Sequence, residues 1–216
     1  MSRSRGLLLS IAFAGAALLF PVAARAAVDR EERAGGPTVR DVQIQLREAM
    51  PGEALRAGLR TRVEPLVAAA EALEEHGNTF GRGLHDGFAF RLEEKDGLGQ
   101  SHVRMGQTYR GVRVLGGELI VHVDDDGLLG ISGRFVEGLD LPAVAPLTPN
   151  EAAGAAVEWI ERAGGANVEV IDVLDPVVWA LSGEPALTVP VRAMWVAGEE
   201  LRFEDLHVDA ETGAFA

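Results

Sequence analysis

The strongest constraint on the fold is an alternation of apolar and polar residues between positions 88 and 135. The apolar members recur at every second position, as Phe88, Phe90 and Leu92, then Val103 and Met105, then Leu119, Val121 and Val123. This period is typical of strands that bury one face. The pairs Asp96-Gly97, Arg110-Gly111 and Asp126-Gly127 separate the runs, where tight turns favour such residues. The segment is therefore predicted to be an antiparallel meander.

Two helices are predicted on either side of this meander. Between 65 and 75 the apolar residues Leu66, Ala69, Ala70 and Leu73 follow the spacing of one helix face, and Gly77-Asn78 ends the helix. A second helix begins at Thr148-Pro149-Asn150-Glu151, a capping box with proline at the first helical position. Its apolar stripe consists of Ala153, Ala156, Val157 and Ile160, and Gly164-Gly165 ends it.

Four further strand candidates follow the second helix, at 168–174, 177–181, 187–196 and 201–208. The order helix then strands thus occurs twice, with the proline-containing segment 141–147 as a stiff connector. Because a parallel sheet would alternate strand and helix throughout, this order predicts an α+β fold of two consecutive helix-plus-antiparallel-sheet units.

The amino terminus is typical of an export signal. Arg3 and Arg5 precede an apolar stretch at 7–20, and Ala24-Arg25-Ala26 fits a signal-peptidase site. The apolar stretch is shorter than the roughly 20 residues that a membrane span needs, and the chain has no cysteine for a lipid anchor. Residues 1–26 are therefore predicted to be a cleaved signal peptide, 27–60 a loose leader, and the protein periplasmic or extracellular with no membrane association after cleavage.

The charge balance excludes one class of partner. The chain carries 20 Lys and Arg against 33 Asp and Glu, for a formal net charge of −13, and its single lysine is Lys95. Without a basic run, nucleic acid is not an expected partner. The acidity suits a cationic protein surface, and it equally serves solubility alone, so both interpretations stay open.

The sequence contains no recognisable catalytic or metal-binding motif. The five histidines include no pair at helical metal-ligand spacing, and Ser132 lacks the context of a nucleophile elbow. Asp124-Asp125-Asp126-Gly127 lacks the leading aspartate and final glutamate of a calcium loop, so a solvated hairpin turn is predicted. His102 and His122 are predicted on the outer face of the sheet, and Trp159, Trp179 and Trp195 at the core or its edge. We therefore expect no catalytic residue, metal or cofactor, and a protein that is not an enzyme.

A family resemblance appears in the segment 99–123, GQSHVRMGQTYRGVRVLGGELIVHV. It resembles the fungalysin/thermolysin propeptide motif, whose pattern of the type H-x-R-x-x-Q-x-Y-x-G-V-x-V-x-G-G-E-L-x-V-H is matched at many positions. The tail Leu206-His207-Val208-Asp209-Ala210-Glu211-Thr212-Gly213 is similar to the ending of the PepSY domain that follows in such propeptides. The matching positions expected to serve the fold are His102, Gln107, Tyr109, Gly111, Gly116, Gly117, His122, Asp209 and Gly213.

This resemblance implies the prosegment of a secreted thermolysin-like metalloprotease, which in the family assists folding and inhibits the protease until it is cleaved. It implies a propeptide-like subdomain at 61–140 and a PepSY-like subdomain at 148–216. The family's H-E-x-x-H catalytic domain is not in this sequence, and neither is the linker that would lead into it. The expected partner is a thermolysin-like catalytic domain, with Arg104, Arg113 and Glu118 as contact residues. The alternatives are an exported PepSY-type ligand-binding module of the cell envelope without a protease partner and, less favoured, an enzyme.

Overall fold

The computed structural model describes residues 25–30, 37–46, 64–142, 144–182 and 184–215. Outside the described residues lie 1–24 of the predicted signal peptide, 31–36 and 47–60 of the predicted leader, and 61–63 at the start of the predicted propeptide-like subdomain. The cleavage after Ala26 stays a prediction.

The described residues form ten strands, two α-helices and a short 3-10 turn at Gly77–Phe80. The helices are α1 (Pro65–His76) and α2 (Pro149–Arg162). The strands are β1 (Arg25–Arg30), β2 (Thr38–Gln45), β3 (Asp86–Lys95), β4 (Ser101–Tyr109), β5 (Val112–Asp124), β6 (Gly127–Glu137), β7 (Ala166–Val173), β8 (Val177–Trp179), β9 (Ala186–Ala197) and β10 (Glu200–Asp209).

All ten strands belong to a single mixed sheet. Its main path runs β1-β2-β6-β5-β8-β9-β10, while β4 lies along the other edge of β5 with β3 beyond it, and β7 pairs with β9. Every pairing is antiparallel except that of β5 with β8, where Arg113–Leu115 run parallel to Val177–Trp179. The long strand β5 thus holds β6 along its carboxyl-terminal part and β8 along its amino-terminal part.

The prediction of an α+β fold made of two helix-plus-antiparallel-sheet units is wrong. The described part of the chain is mostly β, with two short helices, and the parallel pair of β5 and β8 joins the strands of both predicted units into one mixed sheet. The sequence pattern identified the strands but could not reveal this pairing, because a strand's own alternation does not specify its partner.

Part of the segment 27–60, predicted to be a loose leader, forms strands. Thr38–Gln45 is an inner strand, paired with β1 on one side and with β6 on the other. Val42 and Ile44 are buried in the core. The apolar alternation here covers only Val42, Ile44 and Leu46, next to the charged pair Arg40-Asp41, and is too short to indicate a strand.

Each helix covers one hydrophobic cluster. The first cluster contains the buried side of α1, Ala69, Ala72 and Leu73, together with the inward side chains of β2 to β6. The second contains Ala152, Ala156 and Ile160 of α2. The predicted stripe of α1 was partly wrong, since Leu66 is 41% exposed and Ala70 is exposed while Ala72 is buried.

The amino-terminal end of α2 is confirmed in detail. The Thr148 hydroxyl accepts the Glu151 N–H, and the Glu151 carboxylate accepts the Thr148 N–H at 2.8 Å. These two bonds satisfy amide donors that a helix start otherwise leaves unpaired.

Both clusters lie on the same face of the sheet. Along β4, Val103 and Met105 pack into the first cluster and Tyr109 into the second. Since alternate residues of a strand share a face, α1 and α2 cover the same side. We call the opposite side, which carries neither helix, the open face. As the cross-strand register shows, the part of the open face that β4, β5 and β6 form presents His102, Arg104, Thr108, Arg113, Glu118, His122 and Ser132.

The outermost strand of the meander is less buried than its alternation predicted. Within the part of the chain that the structure describes, β3 pairs only with β4, and a bulge between Phe90 and Leu92 interrupts the register. Phe90 and Leu92 are 49% and 45% exposed, so only the first part of this strand contributes to the core.

The two clusters meet at Phe135 and Val136, and the side chain of Gln107 organises this boundary. Its amide oxygen accepts the Val136 N–H at 2.9 Å, and its amide nitrogen donates to the Val136 carbonyl at 2.7 Å and to the Asp86 carboxylate at 3.1 Å. Gln107 is completely buried. It therefore pairs with the backbone of β6 at the point where β5 no longer does.

Two glycines make this arrangement possible. A Cβ on Gly117 would lie 2.3 Å from the Gln107 amide oxygen. Gly116 has φ +102, and a Cβ there would lie 2.7 Å from the Ala180 carbonyl oxygen. Only glycine combines the positive φ with this close approach of the chain after β8.

Replacement of Gln107 by leucine is expected to destabilise the fold by about 3 kcal/mol, because Val136 N–H and C=O would remain buried without partners. The free energy of unfolding from urea titration measures this. The control is Gln43→Leu, at an exposed glutamine of β2, which should change stability by no more than about 0.5 kcal/mol. Equal losses in both variants would contradict this role of Gln107.

Candidate functional site

The predicted contact residues Arg104 and Glu118 form an ion pair on the open face. The Arg104 Nη1 donates to Glu118 at 3.0 Å, and its Nε lies 3.5 Å from Glu94. The hydrogen bond to Glu118 is the main reason why the pKa of Arg104 is raised. An exposed ion pair of this kind contributes little to stability, so the three charges remain able to exchange partners.

Arg113 lies apart from this pair, at a pocket of about 900 Å³. The pocket wall includes Val177 and Pro190, and its charged or titratable groups are Arg113, Asp175, Asp205 and His207. Among the described residues, neither Arg113 nor Asp175 forms an ion pair. Asp205, in contrast, accepts two hydrogen bonds from Arg192, at 2.7 and 2.8 Å.

The side chain of His207 is fixed from two directions. Its Nδ1 lies 3.1 Å from the Thr188 hydroxyl, which itself donates to the Val177 carbonyl. Because the hydroxyl proton is thereby used, Nδ1 carries the proton of the neutral ring and Nε2 is left as an acceptor. The Trp179 ring lies 4.3 Å away. Burial lowers the pKa of His207, against the opposing effect of Asp205.

The three predicted contact residues therefore lie on the same face of the sheet, but Arg113 is separate from the Arg104–Glu118 ion pair. The cross-strand register places Arg104, Glu118 and Arg113 on the open face, with the Gly116-Gly117 junction between Glu118 and the pocket. The pocket could not be inferred from the sequence, since Asp175, His207 and Arg113 meet only through the pairing of β5, β8, β9 and β10.

A second polar group on the open face is a chain of four side chains. His102 Nε2 lies 3.3 Å from an Asp96 carboxylate oxygen, the two Nδ1 atoms of His102 and His122 lie 2.8 Å apart, and His122 Nε2 lies 2.8 Å from the Ser132 hydroxyl. The predicted placement of both histidines on the outer face is correct. Their contact with each other and with Asp96 and Ser132 was not foreseen.

When both histidines are neutral, the Asp96 carboxylate determines which atom donates in each of these hydrogen bonds. An ionised carboxylate only accepts, so His102 donates from Nε2, and its Nδ1 accepts from His122 Nδ1–H. His122 Nε2 then accepts the Ser132 hydroxyl proton. Although burial alone would raise the pKa of Asp96, the N–H groups of Gln100 and Leu98 and the His102 ring outweigh it and lower that pKa.

The two facing Nδ1 atoms share a single proton in this arrangement. Protonation of both rings would place two N–H groups against each other, so it would separate the rings. Burial and then the charge of His102 accordingly lower the pKa of His122.

The Ser132–His122 contact does not form a hydrolytic centre. Ser132 stands in the middle of β6 and is paired with Ile120 on one side and Gln43 on the other. Its neighbouring amides serve the sheet, so they are not arranged to stabilise an oxyanion.

Other sequence interpretations can be placed as well. Asp124 and Gly127 face each other across a two-residue hairpin turn, in which Asp124 accepts the Asp126 N–H, as predicted. Among the described residues, no group of three or more His, Cys, Asp or Glu side chains could hold a metal ion. Trp195 is buried, and Trp159 lies at the edge of the core, stacked on Phe215 at 4.5 Å.

The remaining motif positions lie in turns. Arg110 and Gly111 both have positive φ between β4 and β5. After β10, the Asp209 carboxylate accepts the N–H groups of Glu211 and Thr212, and Gly213 has φ +72. The Gly111 turn borders the pocket of Arg113, while the Asp209 turn follows the last strand.

Two similarities to known proteins bear on this face. Residues 86–135, which span β3 to nearly the end of β6, match the family model described as the fungalysin/thermolysin propeptide motif. The matched segment is therefore a propeptide motif, a kind of module that is not itself catalytic. It contains the Asp96–Ser132 chain, Arg104, Arg113 and Glu118.

The chain is also similar to a transglutaminase-activating metalloprotease of Streptomyces mobaraensis. The two are 30% identical over 158 residues, which cover 70% of this chain and 20% of that protein. The chain thus spans about a fifth of the length of this relative. Within the described residues, no helix is long and apolar enough to cross a membrane.

The lowered pKa of His122 predicts a pH-dependent stability. Below its ordinary pKa of 6.5 the unfolded chain binds a proton that the folded chain does not, so the stability should fall as the pH drops through this value. His122→Gln should reduce the fall measured by urea titration between about pH 7.5 and pH 5. The matched control is His85→Gln, at an exposed histidine that does not belong to this hydrogen-bonded group of side chains. An undiminished fall in His122→Gln would contradict the prediction.

Proposed function

We propose that this protein is a non-catalytic, exported prosegment-type module that binds a thermolysin-like zinc metalloprotease, as an inhibitor, a folding assistant or both. The observation that carries the proposal is the match of residues 86–135 to a propeptide motif, which covers β3 to β6 almost completely. The similarity to a metalloprotease supports the same class of partner.

The proposed division of the chain follows the resemblance. Residues 61–140 would be the propeptide-like part, 141–147 the connector and 148–216 a PepSY-type part. The turn at Asp209 to Gly213 supports the last assignment, because its aspartate, threonine and glycine hold it together. Removal of a signal peptide at 1–26 would release the module outside the cytoplasm.

The open face is the proposed contact surface for the protease. It is the side that neither helix covers, and it carries Arg104, Arg113 and Glu118. Of these, Arg113 is the best placed, because it is exposed at the pocket and is not engaged by another described side chain. Arginine at such a position can pair with a partner carboxylate through two hydrogen bonds.

The alternative is a PepSY-type module that binds another ligand in the cell envelope. The pocket at Arg113 and His207 favours it, since about 900 Å³ lies within the range of small-ligand sites. In that case the free charges of Arg113 and Asp175 would orient the ligand.

Titration of the purified chain into the active Streptomyces mobaraensis metalloprotease distinguishes these functions. We expect a saturable loss of peptide hydrolysis while the added chain stays intact, which mass spectrometry checks. A second assay measures the yield of active protease after refolding with and without the chain. No inhibition together with an unchanged refolding yield would overturn the proposal and favour the ligand-binding module.

Replacement of Arg113 by alanine should weaken the inhibition about tenfold if this residue is a central contact. The control is Arg162→Ala, at an exposed arginine of α2 that pairs only with Glu158 and lies on the other side of the sheet. An inhibition constant that is unchanged in Arg113→Ala, or equally weakened in both variants, would remove Arg113 from the contact surface.

A further inference from the structure

The open face carries an exposed group of apolar side chains at the end distant from β3. We call Met194 and Val196 of β9 with Leu201 and Phe203 of β10 the apolar strip. Phe203 is paired with Met194 and Leu201 with Val196, so the four side chains project from the same face as neighbours. Leu201 is 67% and Phe203 61% exposed.

The strip lies on the open face and not under α2. The alternate residues of β9, Val189, Val191, Ala193 and Trp195, pack into the second cluster with α2. Met194 and Val196 therefore point away from that helix. The same rows continue through Arg192–Asp205 and Pro190–His207 to the pocket of Arg113. The strip and the pocket thus form one continuous surface.

The border of the strip is acidic. Glu169 of β7 is the cross-strand neighbour of Met194, and Asp172 is the neighbour of Arg192. The Arg192 guanidinium is engaged by Asp205 through two hydrogen bonds. The one cation in these rows is therefore neutralised, while Glu169 and Asp172 both stay exposed.

An apolar centre with a charged border is typical of protein interaction sites. The acidic border selects a partner that presents apolar side chains flanked by lysine or arginine. A second copy of this chain fits poorly, because two copies joined through the strip would bring their acidic borders together.

From these observations we infer that the apolar strip is the docking surface for the metalloprotease catalytic domain, through a basic-bordered apolar patch on that domain. This inference rests on the proposed function and adds the place and chemistry of the contact. Phe203 and Leu201 become buried at the centre of the interface when the partner binds, and Glu169 and Asp172 orient the partner. Arg113 lies at the other end of the same surface.

Two other exposed apolar side chains, Leu84 and Leu98, lack this arrangement. Both are highly exposed, and each stands alone in a turn, Leu84 before β3 and Leu98 between β3 and β4. They are therefore suitable controls, since their replacement removes a similar apolar group from the surface without touching the strip.

The test compares the binding of purified variants of the chain to the active Streptomyces mobaraensis metalloprotease by calorimetry. The strip variant is Leu201→Ser/Phe203→Ser, and its matched control is Leu84→Ser/Leu98→Ser. The charge variant is Glu169→Lys, with Glu75→Lys on the exposed side of α1 as control. Thermal unfolding confirms that each variant is folded, and light scattering reports the oligomeric state.

We expect the strip variant to bind at least tenfold more weakly than wild type while its control binds normally. Glu169→Lys should weaken binding, and rising salt should reduce the difference from wild type. If the strip variant binds as tightly as the wild-type chain, the docking surface is overturned and the proposed function stays intact. No binding by wild type would overturn both, and a dimer that only the strip variant dissociates would assign the strip to a second copy.

Discussion

The fold depends on the side-chain amide of Gln107, which forms the two hydrogen bonds to the β6 backbone that a neighbouring strand would otherwise form. β5 pairs with β6 only up to Glu118 and Arg134, because its amino-terminal part belongs to β8. The Val136 N–H and C=O, which lie just beyond, would be buried without partners. Gln107 reaches them from β4 with a donor and an acceptor in the geometry of a peptide group. Such pairing is needed because an unsatisfied buried backbone group costs as much as a lost hydrogen bond.

This constraint explains why several motif positions tolerate only one residue type. Gly117 leaves the space that the Gln107 amide fills, and Gly116 provides both the positive φ and the close approach of Ala180. Together they let β5 change its partner along one edge. The sheet then continues into its second half with both helices on the same side, so the open face extends across the whole molecule. The continuity of the open face is a consequence of the buried amide.

Local patterns predicted the elements well and their neighbours poorly. The alternation of Val103, Met105, Leu119 and Val121 identified β4 and β5, and the capping box placed the start of α2, because both signals are complete within a few residues. The parallel pair of β5 and β8 is different, since nothing in the short run at Val177 specifies its partner. The same limit hid the candidate sites. Asp96, His102, His122 and Ser132 become a chain only through the register of three strands, and Arg113 meets His207 only across β8 and β9.

The distribution of charge on the open face differs between its two ends. At the β3 end, Arg104 is shared between Glu94 and Glu118, so a partner's charge can replace one of these exposed carboxylates at little cost. At the β10 end, Arg192 donates two hydrogen bonds to Asp205, and the nearby acids surround apolar side chains. Apolar burial supplies affinity, while exposed charges mainly supply orientation and association rate. The apolar end should therefore determine how long a complex lasts, and the exchangeable ion pairs at the other end should determine how the partner is oriented as it approaches.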